Sequence, residues 1–288
     1  MMTCFRNRRV LASANGTLTA SLLFFCVALL LSLPALAATQ RVAGLEEVDQ
    51  VHVYGSVEVE ISQGADRELL LRGSDSSLQR QPFYVRGTTL VLGRSADNHN
   101  AGFSDVKYKL TLPELSRLQL QGSGQVYVRK FATPRMQVIV EGSGDIRLFD
   151  IESEEASFRM SGSGDIQAAR VAVEQLRLNL SGSGDIHLGD TAARDAVAVI
   201  NGSGDISVRE PSYSDNVEIS IIGSGDVDMR KLDGASFVVK IVGSGTARIG
   251  VAQSLDASIL GSGDTYYRGE PKVSQSVLGS GELHRQSQ

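Results

Sequence analysis

The sequence predicts an all-β chain wound as a single-stranded, right-handed parallel β-helix, a solenoid with coils of about 20 residues and an irregular β cap at its N-terminal end. Three observations carry the prediction. A Gly-Ser-Gly core starts at Gly122, Gly142, Gly162, Gly182, Gly202, Gly223, Gly243, Gly261 and Gly279, in steps of 20, 20, 20, 20, 21, 20, 18 and 18 residues. Apolar residues keep a fixed register around it: Leu120, Val140, Met160, Leu180, Ile200, Ile221, Ile241, Ile259 and Val277 two places before the first glycine, and Val126, Ile146, Ile166, Ile186, Ile206 and Val227 four places after it. With polar neighbours between, as in Arg177-Leu178-Asn179-Leu180-Ser181, this is the alternation of a strand with one face buried. Finally, residues 45–117 lack the motif but keep strand patterning and show no helical period.

Taken in order, residues 1–37 read as a secretory signal: Arg6, Arg8 and Arg9, the apolar run "ASLLFFCVALLLSLPALA", and small residues placing cleavage between Ala37 and Ala38. A single membrane anchor is the rival reading, since the run is marginally long enough to span. Residues 38–44 are expected to be a short linker. The N-terminal β part, 45–117, contains "VHVYGSVEVEIS", "TTLVLG" and "VKYKLTLPEL" as strands and residues 95–103 as a polar loop; it is expected to cap the stack or to form its irregular first coils. Residues 118–288 follow as nine coils, each a strand, the Gly-Ser-Gly turn, a second strand and a polar arc such as "GDTAARDA".

A period near 20 is too short for a propeller blade, and neither the leucine-rich consensus nor a calcium-binding nonapeptide spacing is present. No six-residue subperiod marks a left-handed coil. Glycine suits a corner repeated in every coil because it takes positive φ and permits close backbone approach. The aspartate that follows the turn can accept from nearby backbone N–H groups in an Asx turn.

Composition narrows the function classes. Both cysteines, Cys4 and Cys26, fall in the signal, so disulfides, thiolate metal sites and cysteine catalysis are excluded from the exported part. Without the three signal arginines, 25 of the 28 basic residues remain against 33 acidic ones, a net charge of about −8, which repels phosphate backbones and excludes nucleic acid as a partner.

The segments "VHVYGSVEVEISQG", "LLLRGSDSSL", "GTTLVLG", "KLTLPELSRLQLQGSG" and the serial "GSGD" followed by Ile or Val resemble the GIN-domain family of auto-transporter adhesin heads over about residues 45–288. The resemblance implies an exported β-helix akin to pectin-lyase-type solenoids, without a catalytic set and with a role in adhesion. An auto-transporter also needs a C-terminal membrane barrel, which the few residues after Glu282 do not supply, so export by that route is not expected.

Several rows of residues are then candidates for function. Tyr127, Arg147, Gln167, His187, Ser207, Asp228, Arg248, Tyr266 and His284, five places after the first glycine, form one outward row able to meet a glycan or an envelope protein. Asp145, Asp165, Asp185, Asp205 and Asp226 form a carboxylate ladder that calcium could bridge, although calcium wants six to eight oxygens and the ladder is broken at Gln125 and Thr246. No other cofactor is expected. Just before the turn, Gln121, Glu141, Ser161, Ser181 and Asn201 give way to Ile222, Val242, Leu260 and Leu278: either an outward aliphatic stripe through which the C-terminal coils self-associate, or a bulge that turns these residues inward. A polysaccharide-active enzyme is the alternative to a binding protein, but identical aspartates do not separate their pKa values, and His52, His99, His187 and His284 are dispersed. Location follows from the signal: exported, to the periplasm, the cell surface or the medium.

Overall fold

The computed structural model of the chain describes residues 38–97 and 102–286. The expected signal, with Ala37 of its cleavage pair, and His99 lie outside the described residues. Within them the strands are β1 (Ala38–Val42), β2 (Gln50–Gly55), β3 (Glu58–Gln63), β4 (Glu68–Gly73), β5 (Phe83–Arg86), β6 (Thr89–Leu92), β7 (Lys107–Leu112), β8 (Arg117–Gly122), β9 (Gln125–Gly142), β10 (Asp145–Gly162), β11 (Asp165–Gly182), β12 (Asp185–Gly202), β13 (Ile206–Val208), β14 (Ser212–Gly223), β15 (Asp226–Met229), β16 (Leu232–Gly243), β17 (Thr246–Gly261), β18 (Asp264–Arg268), β19 (Lys272–Gly279) and β20 (Leu283–Arg285). A five-residue helix, α1 (Asp75–Gln79), capped by the Ser74 side chain, departs from the all-strand reading of the N-terminal part.

The molecule is a β-solenoid. Each coil pairs in parallel with the next, and equivalent residues stack in register: Ile146 on Val126, Ile166 on Ile146, Ile186 on Ile166, Ile206 on Ile186. The apolar columns on both sides of the turn point inward and are buried, from Leu118 and Leu120 to Ala257 and Ile259.

The polar arcs are themselves strand. β9 to β12 run unbroken from one turn to the next, and the strand pairing passes straight through "GDTAARDA". Pairing satisfies the arc's backbone, and its inward residues are small or hydroxylated: Thr133, Ser153, Val173, Ala193 and Ser214 stack in one column. The inward hydroxyls are satisfied locally. Ser153 Oγ donates to the carbonyls of Pro134 and Glu155, and Ser214 Oγ to those of Arg194 and Asn216.

The turn itself is a ladder. The backbone N–H of each turn serine donates to the first glycine's carbonyl one coil earlier, as Ser163 to Gly142 (2.9 Å) and Ser183 to Gly162 (3.0 Å). A Cβ on Gly182 would meet the Gly162 oxygen at 2.4 Å, and one on Gly184 the Gly164 oxygen at 2.2 Å. Only the first glycine needs a left-handed backbone, with φ of +122° at Gly182.

At the N-terminal end the expected irregular first coils take a definite form, and one expectation, the short linker at residues 38–44, is corrected. There is a further turn without the motif: β2 and β3 stack directly on β8 and β9, with Gly55 under Gly122. Val57 stands where the second glycine would be, because no turn of this kind lies beneath it. β6 and β7 pair with the other edges of β2 and β3, so the first coil in sequence is enclosed between two later segments. Residues 38–44 are not a free linker: β1 pairs antiparallel with β4, which pairs antiparallel with β7. Alternation in Ala38-Thr39-Gln40-Arg41-Val42 gives β1 a half-buried face, and it covers an edge that would otherwise be open. The end is thus covered by antiparallel strands and not by a further parallel coil.

Candidate functional site

Because the coils stack in register, a residue type five places after each first glycine becomes a physical column. Tyr127, Arg147, Gln167, His187, Ser207, Asp228, Arg248, Tyr266 and His284 are consecutive partners along it. Neighbours engage one another. The Arg147 guanidinium lies 5.8 Å from the Tyr127 ring centroid, Arg248 5.7 Å from that of Tyr266, and Tyr266 stacks on His284 at 4.8 Å. His187 Nδ1 shares a 2.8 Å hydrogen bond with Ser207 Oγ, and its Nε2 is 3.8 Å from Asp185 Oδ2. Burial holds the His187 imidazole below the usual histidine range; the nearby Arg209 charge adds to this, against the opposing pull of Asp185 and its equivalents.

The middle of this column opens into a recess of about 360 Å³, lined by Arg147, Gln167 and His187 and by the next outward column along the coil. That second column, seven places after the first glycine, reads Arg129, Phe149, Ala169, Gly189, Arg209. Ala169 and Gly189 form the low ground between an exposed Phe149 and the pair Arg209 and Glu210. Gly189 has little choice, since a Cβ there would meet the Ala169 carbonyl oxygen at 2.2 Å. The far wall comes from the 21-residue step. Register runs with an offset of 20 up to Leu188 and Val208, and of 21 from Ala192 and Tyr213, so the extra residue falls in Arg209-Glu210-Pro211 at this corner.

Charges beside the recess are largely matched. Lys130, Asp150, Arg170 and Asp190 alternate in sign up the adjoining column, with Arg170 2.9 Å from Asp150 and 3.7 Å from Asp190. Arg147 and Arg209 are different: neither has a carboxylate partner among the described residues, and Glu210 is the one carboxylate among the lining residues. Row-by-row reading finds Arg147 and His187 but misses Phe149, Ala169, Gly189 and Arg209. The signal that locates them is the conjunction of the 21-residue step with two small residues in one outward column.

The aspartate ladder has a structural occupation. Oδ1 of Asp145, Asp185, Asp205, Asp226 and Asp264 accepts from the backbone N–H of the equivalent residue one coil later, at 2.9 to 3.2 Å. This bridges coils, whereas an Asx turn would have been local. Among the described residues no three His, Asp or Glu side chains lie close enough together to hold a metal ion.

Ile222, Val242, Leu260 and Leu278 stack in register and point outward, at 51%, 46%, 49% and 71% exposure. No bulge occurs at Ile222; the register shift in this part of the stack lies between Arg248 and Val251.

Residues 47–215 and 210–271 match the family described as "Putative auto-transporter adhesin, head GIN domain". Among curated proteins none matches the chain. Solved structures share its fold. A "putative adhesin" from Parabacteroides merdae superposes with a TM-score of 0.68 at 17% identity, covering 87% of this chain and 96% of its own. A second "putative adhesin", from Parabacteroides distasonis, gives 0.67 at 19%, covering 87% and 97%. A "putative lipid binding protein" from the same organism gives 0.65 at 23%, with the same coverage. Among the described residues no helix is long and apolar enough to cross a membrane.

Proposed function

Because the chain belongs to the family of auto-transporter adhesin head GIN domains, we propose that it is an exported, non-catalytic binding protein of the bacterial cell envelope, which presents its outward column to a glycan or protein partner. The observation that carries this reading is the column from Tyr127 to His284: aromatic, basic and amide side chains held at one spacing, about 4.8 Å, by the hydrogen-bonded coils beneath them. Such a row is preorganised, so little side-chain ordering opposes binding. Catalysis by paired carboxylates is disfavoured because the aspartates repeat one environment, each holding the same kind of backbone bond. The test compares the wild type with Tyr127, His187 and Tyr266 all changed to alanine, on a glycan array and in a cell-adhesion assay. Binding should fall at least about tenfold; undiminished binding removes the column from consideration.

A second surface belongs to the same reading. The stripe from Ile222 to Leu278 continues into β19, all of whose residues are exposed and whose outer edge has no partner strand among the described residues. The N-terminal end carries antiparallel strands in place of a parallel coil, so it does not match the C-terminal coil as a next coil would, and a second copy meeting like with like at the C-terminal coils is the occupant that fits.

A further inference from the structure

We propose that the recess between Phe149 and Arg209 is a saccharide subsite selective for a carboxylate-bearing sugar, an inference that rests on the glycan-binding side of the function proposed above and names its ligand class. Shape is the first argument. The hollow of about 360 Å³ is bounded on one side by an exposed phenyl ring, floored by Ala169 and Gly189, and closed on the other by the extra residue of the long coil. That volume is at the small end of ligand sites, which run from about 300 to 1,000 Å³, and suits a short saccharide. The Phe149 ring has a neighbour that favours one orientation: the Arg129 guanidinium lies 4.7 Å from its centroid and is paired with Glu60 at 2.8 Å. An aromatic face with few rotatable bonds offers the C–H side of a sugar ring a partner at low entropic cost.

Charge is the second argument. In an acidic chain the adjoining column cancels its own charges, yet Arg147 and Arg209 at opposite ends of the recess form no ion pair among the described residues. A guanidinium is a planar fork of donors matched to a carboxylate. Among the lining residues Glu210 offsets one of the two; Asp165, Asp185 and Asp205 add negative charge near His187 outside the lining, so what a ligand carboxylate would meet is the forked donors of Arg147 and Arg209 themselves and not a positive field. Gln167 and the His187–Ser207 pair supply neutral donors and acceptors for hydroxyl groups. Apolar floor, aromatic wall, amide, neutral imidazole and two unpaired guanidiniums are together what an acidic sugar requires.

The test is calorimetric titration of trimannuronate and of the neutral β-mannotriose into the wild type, Ala169→Phe and the double variant Arg147→Gln/Arg209→Gln, with melting curves for each protein. Trimannuronate should bind at least tenfold more tightly than mannotriose. Filling the recess at exposed Ala169 should lower trimannuronate affinity at least tenfold, and the double variant should reduce it to the level of mannotriose. Equal affinity for the two sugars overturns the acidic class and leaves the glycan reading standing. Undiminished affinity in Ala169→Phe overturns the seat. Should that variant melt early, the double variant, which changes only surface charge, decides alone. Binding of neither sugar by the wild type overturns the subsite while leaving a protein partner for the column.

Discussion

Gly182 and Gly184 sit in one turn and are required for different reasons. Gly182 has φ of +122° and also lies against the carbonyl below; Gly184 has an ordinary backbone and only the close approach, 2.2 Å for an added Cβ. Gly55 separates the two effects, since its φ is +78° but nothing lies within 4 Å of an added Cβ. Gly55→Ala should therefore cost about 1 kcal/mol, the left-handed penalty alone, whereas Gly182→Ala should cost about 3 kcal/mol or more, because stacked backbone cannot retreat. Urea unfolding of the two variants measures the difference. A second residue-scale prediction concerns His52, whose Nε2 is buried without a hydrogen-bond partner and whose ring lies 4.0 Å from that of Tyr54. Burial, aided by the Arg94 and Arg117 charges and opposed by Glu141, lowers its pKa from 6.5 to about 4. The unfolded chain takes up this proton first, so the stabilising contribution is present above pH 6.5 and is lost as pH falls toward 4. His52→Leu should flatten stability across that window, sparing a loss of up to about 3 kcal/mol; an unchanged slope in denaturation at pH 4, 5, 6 and 7 would exclude His52 as its source.

At the scale of the coil, the aspartate after the turn acts on its neighbour. Asp205 Oδ1 accepts from the Asp226 N–H at 3.0 Å, so Asp205→Ala should destabilise by about 1 kcal/mol while Asp205→Asn, which keeps the oxygen, should be close to neutral. If calcium rather than this bond were the purpose of the ladder, Asn would be as damaging as Ala, and melting temperature would shift with chelator. The coil also sets what could be read in advance. The turns were legible because backbone contact forces glycine at two positions in every copy. The turn at Gly55 was not, since Val57 has no turn below it to exclude its side chain. The arcs read only as polar because Thr191, Ala193 and Ser214 are small or polar and show no strand alternation, yet they face inward where a narrow interior and nearby carbonyls accept them. The recess escaped because it is made of missing side chains, and absence in Ala169 and Gly189 acquires meaning only when Phe149 and Arg209 are placed beside them in space.

The whole molecule has unlike ends. One is closed by β4 and β1; the other leaves β19 with exposed Val273 and Val277, whose equivalents Leu255 and Ile259 are buried one coil earlier. Leu260→Asp, in the middle of the adjoining stripe, replaces a half-exposed side chain and should change stability by less than about 0.5 kcal/mol. It should convert any dimer seen by sedimentation velocity into monomer. A large drop in stability would show that Leu260 serves the fold instead of an interface, and a dimer that persists would place the contact elsewhere. The two ends also differ in how they must come into being. Residues 50–63 are synthesised early, but their neighbours in the stack are residues 89–92 and 107–112 on one side and 117–122 and 125–128 on the other. That first coil waits for chain on both flanks, a clasp shut by two later arrivals, and its distant contacts are slow to close. Every coil after it needs only the one just finished. The chain therefore carries its slowest assembly step at its beginning, and once the clasp is shut the remaining turns can be laid down in the order in which they are made.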